Sequence, residues 1–149
     1  MKKTLSLLLL LALLLPTLVA CQGEEPETPG GTPALLVLPE NVNYVSIYLY
    51  KDGSDGGGAY FDKNNYGALL QLLDELRATT VIPLTDETAG KNFLFDDCFD
   101  LNVYGADGTL MQISVDTNGL ICINTEFFTL SEGLLSYKRV QSYFEAFRE

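Results

Sequence analysis

The side chains of this sequence that could do chemistry are mainly carboxylates, because 20 of its 149 residues are Asp or Glu and none is His. Without His, the chain lacks the usual general base at neutral pH and the commonest metal ligand. Ser-His-Asp hydrolases, Cys-His hydrolases and typical catalytic zinc sites are therefore excluded. Two acids drawn from Glu87, Asp96 and Asp97 could hydrolyse a glycosidic bond. Such enzymes usually bind the sugar through Trp side chains, and this sequence contains no Trp. We expect no enzymatic activity; the alternative is a carboxylate-based enzyme acting on cell-envelope material.

Two short acidic segments, one around Asp52 and one around Asp96, contain the oxygen ligands that calcium prefers. An EF-hand loop that began at Asp52 would place Gly56 at its fifth position and Lys63 at its twelfth, where ligands are required. We interpret both segments as surface turns of an acidic protein, with adventitious calcium binding as the alternative. The sequence thus predicts neither a metal site nor a cofactor.

Three tyrosines of one alternating segment are the candidate contact residues. Tyr44, Tyr48 and Tyr50 point to one side of a predicted strand, and Val45 and Ile47 point to the other. A further tyrosine, Tyr104, falls on the corresponding side of the strands that follow. Exposed aromatic rings on a sheet form a good contact surface for a protein or a glycan. The simpler alternative is that tyrosines merely suit strands and cover the sheet.

The elements that position these residues alternate between strand and helix patterns. Residues 42–51 are predicted to form a strand, and the glycine-rich residues 52–58 a flexible turn. Asn64 or Asn65 then caps a helix that ends near Arg77. The apolar face of this helix contains Tyr66, Leu69, Leu70, Leu73 and Leu76. An extended segment follows at residues 79–82, since β-branched residues and Pro83 disfavour helix.

Residues 99–124 predict a three-strand antiparallel meander. The apolar side chains share one face only if residue numbers sum to 214 across the first hairpin and to 236 across the second. These registers leave the loops 106–108 and 117–119, and each loop ends in the glycine that a three-residue hairpin loop favours. A short strand at residues 127–130 and a final helix capped by Ser131 or Ser136 complete the chain. The apolar stripe of that helix contains Tyr137, Val140, Phe144 and Phe147.

The predicted fold class is therefore α+β: a small twisted antiparallel β-sheet with two α-helices packed on one face. The same registers bear on the two cysteines of the meander. Cys122 lies opposite Ser114, and Ser114 lies opposite Asp100, so a whole strand separates Cys122 from Cys98. Two strand spacings of about 4.8 Å exceed the roughly 7 Å limit for a disulfide. This favours free thiols, and a disulfide permitted by a bulge at Cys98 remains open. Without His, a catalytic thiolate is not expected.

The first residues have the organisation of an export signal. Lys2 and Lys3 give a positive start, and an almost unbroken apolar run follows from Leu5 to Leu15. A run of about 11 residues makes roughly 16 Å of helix, which is too short for a bilayer core of about 30 Å. This pattern is typical of a signal peptide and not of a transmembrane helix.

The segment Leu18-Val19-Ala20-Cys21 resembles the lipobox of bacterial lipoproteins: an aliphatic residue, a tolerant position, a small residue and then cysteine. The resemblance covers residues 1–21. It implies that a diacylglyceryl group is attached to Cys21 by a thioether and that signal peptidase II cleaves between Ala20 and Cys21. Two acyl chains give stable attachment to a membrane. The expected location is the cell membrane, with the chain on its extracytoplasmic side; the alternative is an ordinary secretory signal followed by a coincidental cysteine.

Residues 21–33 form the predicted lipidated tether and residues 34–149 a single domain. Three prolines keep the tether extended, so it reaches roughly 35–40 Å from the bilayer. The signal segment contains two lysines and no acid, so its removal changes the net charge from −11 to −13. Such a surface repels phosphate backbones, so no nucleic-acid partner is expected. The expected partners are the membrane, through the lipid on Cys21, and a protein or glycan of the cell envelope.

Overall fold

The computed structural model describes residues 31–85 and 89–148, and in these residues it contains eight strands and three α-helices. The strands are β1 (Ala34–Leu35), β2 (Val42–Lys51), β3 (Ser54–Phe61), β4 (Thr80–Pro83), β5 (Asp97–Gly105), β6 (Leu110–Asp116), β7 (Leu120–Ile123) and β8 (Glu126–Glu132). The helices are α1 (Tyr66–Arg77), α2 (Ala89–Asn92) and α3 (Tyr137–Phe147), and a 3₁₀ turn (Lys63–Asn65) precedes α1. The fold is α+β, as the sequence predicted. The expected signal peptide, with its cleavage between Ala20 and Cys21, and the lipidation of Cys21 lie outside the described residues.

All eight strands belong to one antiparallel sheet, in the order β1-β4-β8-β7-β6-β5-β2-β3. The prediction of a small sheet is therefore wrong. The sheet is larger because the segment after α1 enters it as β4, between β1 and β8, and because the glycine-rich segment after β2 becomes β3 at the opposite edge.

The central meander has the predicted registers. Leu101 pairs with Ile113, and Ile113 pairs with Ile123, which corresponds to sums of 214 and 236. The last residue of each loop has a positive φ, +86° at Gly108 and +84° at Gly119. A side chain rarely adopts this conformation, so glycine fits both positions. Face alternation and turn chemistry thus predicted this part of the sheet correctly.

The segment after β2 is a tight hairpin and not the flexible turn that was predicted. Asp52 and Gly53 have φ values of +52° and +69°, the conformation of a two-residue type I′ turn. Lys51 pairs with Ser54 directly across this turn, so β3 begins at once. Glycine weakens a strand, and the register with β2 shifts between Tyr48 and Tyr50, where Gly57 has a φ of +98°.

The apolar side chains of the sheet face one side, where α1 and α3 cover them. Val45, Ile47 and Leu101 are fully buried there. On α1 the buried residues are Leu69, Leu72, Leu73 and Leu76. Two predicted members of the apolar face, Tyr66 and Leu70, are instead 58% and 40% exposed. The buried face of α1 therefore includes Leu72, which the predicted face lacks, and is rotated away from Tyr66 and Leu70.

The caps of the two long helices differ from the predictions in detail. Asn65 occupies the N-cap position of α1, but its side-chain oxygen accepts from the Asp62 amide at 2.8 Å as part of a capping box around the 3₁₀ turn. The Asp62 carboxylate accepts in return from the Asn64 amide at 2.7 Å. Ser136, one of the two predicted caps, is the residue before α3.

The short helix α2 was not predicted, and it lies against the opposite side of the sheet. The prediction of two helices on one face is therefore incomplete. A Cβ atom on Gly90 would come within 2.9 Å of the Phe127 ring, and the Phe93 ring lies 5.9 Å from the same ring. Phe127 pairs with Cys122, and both alternate with the core residues. One end of this second face is thus covered by α2 and by residues 93–96, while the other end carries the tyrosines.

Candidate functional site

Five tyrosines share the side of the sheet opposite the α1–α3 core, and we call this surface the tyrosine face. They are Tyr44, Tyr48 and Tyr50 on β2, Tyr60 on β3 and Tyr104 on β5. Tyr44, Tyr50 and Tyr60 are 36–40% exposed. All four tyrosines singled out in the sequence lie on this surface. Tyr60 was not predicted because the glycines of residues 52–58 indicate a turn; the alternation of Tyr60 with the buried Ala59 and Phe61 is the signal that could have found it.

The rings form two pairs. The rings of Tyr44 and Tyr104 are stacked, with centroids 4.1 Å apart and planes inclined by 16°. The rings of Tyr48 and Tyr60 meet edge to face at 5.9 Å, and their hydroxyl oxygens lie 3.1 Å apart. Such pairs contribute about 0.5–1.5 kcal/mol beyond the area they bury, so the surface is ordered before any partner arrives.

Gly58 provides the space for the second pair. It lies directly across from Tyr48 in the β2–β3 register. A Cβ atom at this position would come within 3.0 Å of the Tyr48 ring and 3.1 Å of the Tyr60 hydroxyl. The absence of a side chain on Gly58 therefore lets both rings lie over β3.

Ser46 lies between the two ring pairs on β2. It faces Tyr60 on one neighbouring strand and Asn102 on the other. The residue is 1% exposed, and its hydroxyl oxygen has no hydrogen-bond partner among the described residues. A buried hydroxyl without a partner costs about 1–3 kcal/mol, which makes Ser46 the least satisfied polar side chain of this surface.

Two carboxylates flank the tyrosine face at its Tyr50 end. Asp55 on β3 pairs with Tyr50, and Asp100 on β5 pairs with Tyr48. Burial raises the pKa of the Tyr50 hydroxyl, and the charges of Asp100 and Asp55 raise it further. Tyr50 is therefore a neutral ring between two acids.

An open cleft of about 580 Å³ lies at the other end of the surface. Tyr44 and Tyr60 form its aromatic walls, and Asn43, Asp62 and Lys63 supply polar groups. The positive charge of Lys63 lies beside the negative charge of Asp62 here, whereas Asp55 and Asp100 flank the ring at the Tyr50 end.

The two cysteines of the meander are free thiols. Cys122 lies opposite Ser114, which lies opposite Asp100, so the predicted separation from Cys98 is confirmed. Cys98 is 2% exposed, and its thiol donates to the backbone oxygen of Phe95 at 3.4 Å. Burial first and then the neighbouring carboxylates, Asp100 foremost, raise the pKa of Cys98 to about 12. Such a thiol is a poor nucleophile at neutral pH.

The acidic segments, predicted as surface turns, are only partly turns: Asp52 and Asp96 lie in turns, whereas Asp55 lies in β3 and Asp97 and Asp100 lie in β5. The Asp55 carboxylate accepts from the Gly57 amide at 2.8 Å within the β2–β3 hairpin, and the Asp96 backbone oxygen accepts from the Gly53 amide at 3.4 Å. In residues 31–85 and 89–148, no three Cys, Asp or Glu side chains come together as a metal site. Glu87 lies outside the described residues.

No protein-family model, curated protein or solved structure matches this chain. Within the part of the chain that the structure describes, no helix is long and apolar enough to cross a membrane. The tyrosine face offers ring faces for stacking and cation–π contact, phenol hydroxyls for hydrogen bonds and two flanking carboxylates.

Proposed function

We propose that this chain is a membrane-anchored extracytoplasmic lipoprotein and that its α+β domain is a non-catalytic binding module. The observation that carries the binding role is the tyrosine face, on which five of the chain's eight tyrosines lie together. Aromatic rings that are ordered in advance provide contact area at a low entropic cost. The partner is a component of the cell envelope, because the lipid holds the domain there.

The anchor rests on residues 1–21. Their positive start, apolar run and lipobox support lipidation of Cys21 and cleavage after Ala20. A diacyl anchor holds a protein stably, whereas one chain gives only marginal attachment. The proline-containing tether then gives the domain a reach of roughly 35–40 Å.

A Cys21→Ala variant tests the anchor. Without the thioether, the chain is expected to leave the membrane fraction or to accumulate as an uncut precursor. Mass spectrometry of the wild-type chain should show a diacylated Cys21 as the first residue. A Cys21→Ala chain that fractionates and is processed like the wild type would contradict the anchor.

A pull-down from detergent-solubilised membranes tests the binding role. The full-length chain serves as bait beside a Tyr44→Ser/Tyr48→Ser/Tyr50→Ser variant. The matched control is Tyr66→Ser, since Tyr66 is an exposed tyrosine on α1, away from the tyrosine face. We expect a partner that the wild type and the control recover and the triple variant loses. Equal recovery by all three baits, or recovery of no specific partner, would contradict the binding role.

A further inference from the structure

The charge of the tyrosine face is uneven and mostly negative. Of the charged residues on its three strands, β2, β3 and β5, Asp55 and Asp100 lie on the tyrosine face. Lys51 and Asp97 pair with each other on the opposite side, where Asp97 accepts from the Tyr137 hydroxyl at 3.5 Å. Arg77 and Arg139 lie on the helices, where they form ion pairs with Asp74 and Glu75. The sheet surface at the Tyr50 end is therefore acidic, in a chain whose overall net charge is −11.

At the Tyr50 end of the tyrosine face, aromatic rings and carboxylates lie side by side, an arrangement that attracts an organic cation. A Lys or Arg side chain over a tyrosine ring is attracted by the negative ring face, with most effect when water is displaced. Asp100 lies beside Tyr48, and Asp55 lies beside Tyr50 on the opposite neighbouring strand. A cation over these two rings thus has a carboxylate on each side.

Ser46 is a second and independent observation on the same surface. Its hydroxyl points to the tyrosine face beside Tyr48, is almost completely covered, and has no hydrogen-bond partner among the residues described. An ammonium or guanidinium group carries several N–H donors and no acceptor. The unpaired hydroxyl oxygen of Ser46 is an acceptor that matches the donors of such a group.

We propose that the tyrosine face docks a basic segment of a partner protein, with a Lys or Arg side chain lying over Tyr48 and Tyr50 between Asp55 and Asp100. This inference rests on the binding role proposed above and names the chemistry of its partner. Charge complementarity decides for a basic protein, because a neutral glycan would make no use of the two carboxylates and a polyanion would be repelled.

The test titrates the full-length lipidated chain in detergent micelles with hexalysine and hexaarginine. Binding is followed by tyrosine emission, which no Trp obscures. We expect both peptides to bind, and to bind more weakly as NaCl rises from about 0.1 M to about 1 M, because the Debye length falls from about 10 Å to about 3 Å. An Asp55→Asn/Asp100→Asn variant is expected to bind roughly five- to tenfold more weakly.

The matched control is Asp74→Asn/Glu145→Gln, which makes the same change in net charge on the helices and should bind like the wild type. Tyr50→Phe should also keep its affinity, whereas Tyr50→Ser should lose it, because a cation needs the ring face and not the hydroxyl. Circular dichroism verifies that each variant is folded.

Three results would overturn the inference: no binding of either peptide, equal losses in the Asp55/Asp100 variant and its control, or salt-independent binding of a neutral oligosaccharide such as chitohexaose. The pull-down separates this failure from failure of the binding role. A partner lost by the tyrosine variant and retained by Asp55→Asn/Asp100→Asn leaves the binding role intact and rejects the basic partner. A partner lost by neither variant rejects both.

Discussion

The hydroxyl of Tyr143 on α3 donates a hydrogen bond of 2.7 Å to the carboxylate of Glu75 on α1. Arg139, one turn earlier on α3, donates to the same carboxylate at 2.7 Å and 3.1 Å. Burial and the bond to Glu75 raise the pKa of Tyr143 to about 12. Burial alone would raise the pKa of Glu75, but the bonds from Arg139 and Tyr143 outweigh it and lower that pKa. One carboxylate thus ties together the two helices that cover the core.

Replacement of Glu75 by Gln is expected to lower the free energy of unfolding by about 1 kcal/mol at neutral pH, since Tyr143 loses a charged acceptor. Folding lowers the pKa of Glu75 from its ordinary value of 4.5, so the ionised carboxylate stabilises the folded state above that pH. This contribution is lost as the pH falls through the lower pKa of the folded state. Urea unfolding at about pH 7 and about pH 3 should therefore show a difference from wild type that shrinks at the lower pH. Glu145→Gln, on the exposed side of α3, is the control. An equal difference at both pH values would contradict the assignment.

Asp116 is the carboxylate whose loss should destabilise the sheet most. It is fully buried and accepts from the amides of Leu94 at 3.1 Å and Leu120 at 2.8 Å, so it joins the segment before β5 to the β6–β7 turn. Asp116→Ala leaves two amides without an acceptor and should cost about 2–4 kcal/mol, measured by urea unfolding. Asp107→Ala removes a similar bond, from the Thr109 amide at 2.9 Å, in the exposed first loop. Its effect should be clearly smaller; equal losses would mean that burial of Asp116 does not matter.

The parts of the fold that the sequence predicted correctly depend on neighbours along the chain. In the meander, alternation of apolar residues sets the face, and Gly108 and Gly119 set the turns, so both signals are local. The β3 strand was missed although its Asp52-Gly53 turn is also a local signal, because the glycines that follow have a low strand propensity. The exposure of Tyr66 and Leu70 on α1 was not predicted, because helical spacing gives an apolar face and packing against the sheet decides which part of it is covered.

The sequence predicted the part of the candidate site that lies on a single strand, β2. Alternation alone places Tyr44, Tyr48 and Tyr50 on one side of β2. Tyr60 and Asp55 join them through the β2–β3 register, which the Asp52-Gly53 turn sets and the glycines that follow obscure. The burial of Ser46 could not be predicted either, because it depends on the neighbouring strands, on which Tyr60 and Asn102 lie beside it.

Replacement of Gly133 and of Gly67 by alanine should change the free energy of unfolding in opposite directions. Gly133 has a φ of +113°, and a Cβ atom there would lie 2.6 Å from the backbone of Thr79. Gly133→Ala should therefore cost about 2–4 kcal/mol of unfolding free energy. Gly67 lies in α1 with no atom within 4 Å of the added carbon, so Gly67→Ala should raise stability by up to about 1 kcal/mol through helix propensity. Thermal unfolding of both variants checks the pair, and a neutral Gly133→Ala would mean that the backbone can move away from Thr79.

The thiols give a final test that joins the fold to the anchor. Ellman's reagent should react slowly with Cys122 in the native chain and with Cys98 only after unfolding, because Cys98 is 2% exposed and burial raises its pKa to about 12. A Cys122→Ser variant should abolish the native reaction, and reducing agent should leave the melting temperature of the wild type unchanged.

The number of thiols in the unfolded, lipidated chain tests the anchor. It should be two, since the thioether blocks Cys21, and unfolded Cys98→Ser should yield one. Three thiols in the membrane-bound chain would reject the lipidated cysteine, and none would show that Cys98 and Cys122 are bonded after all.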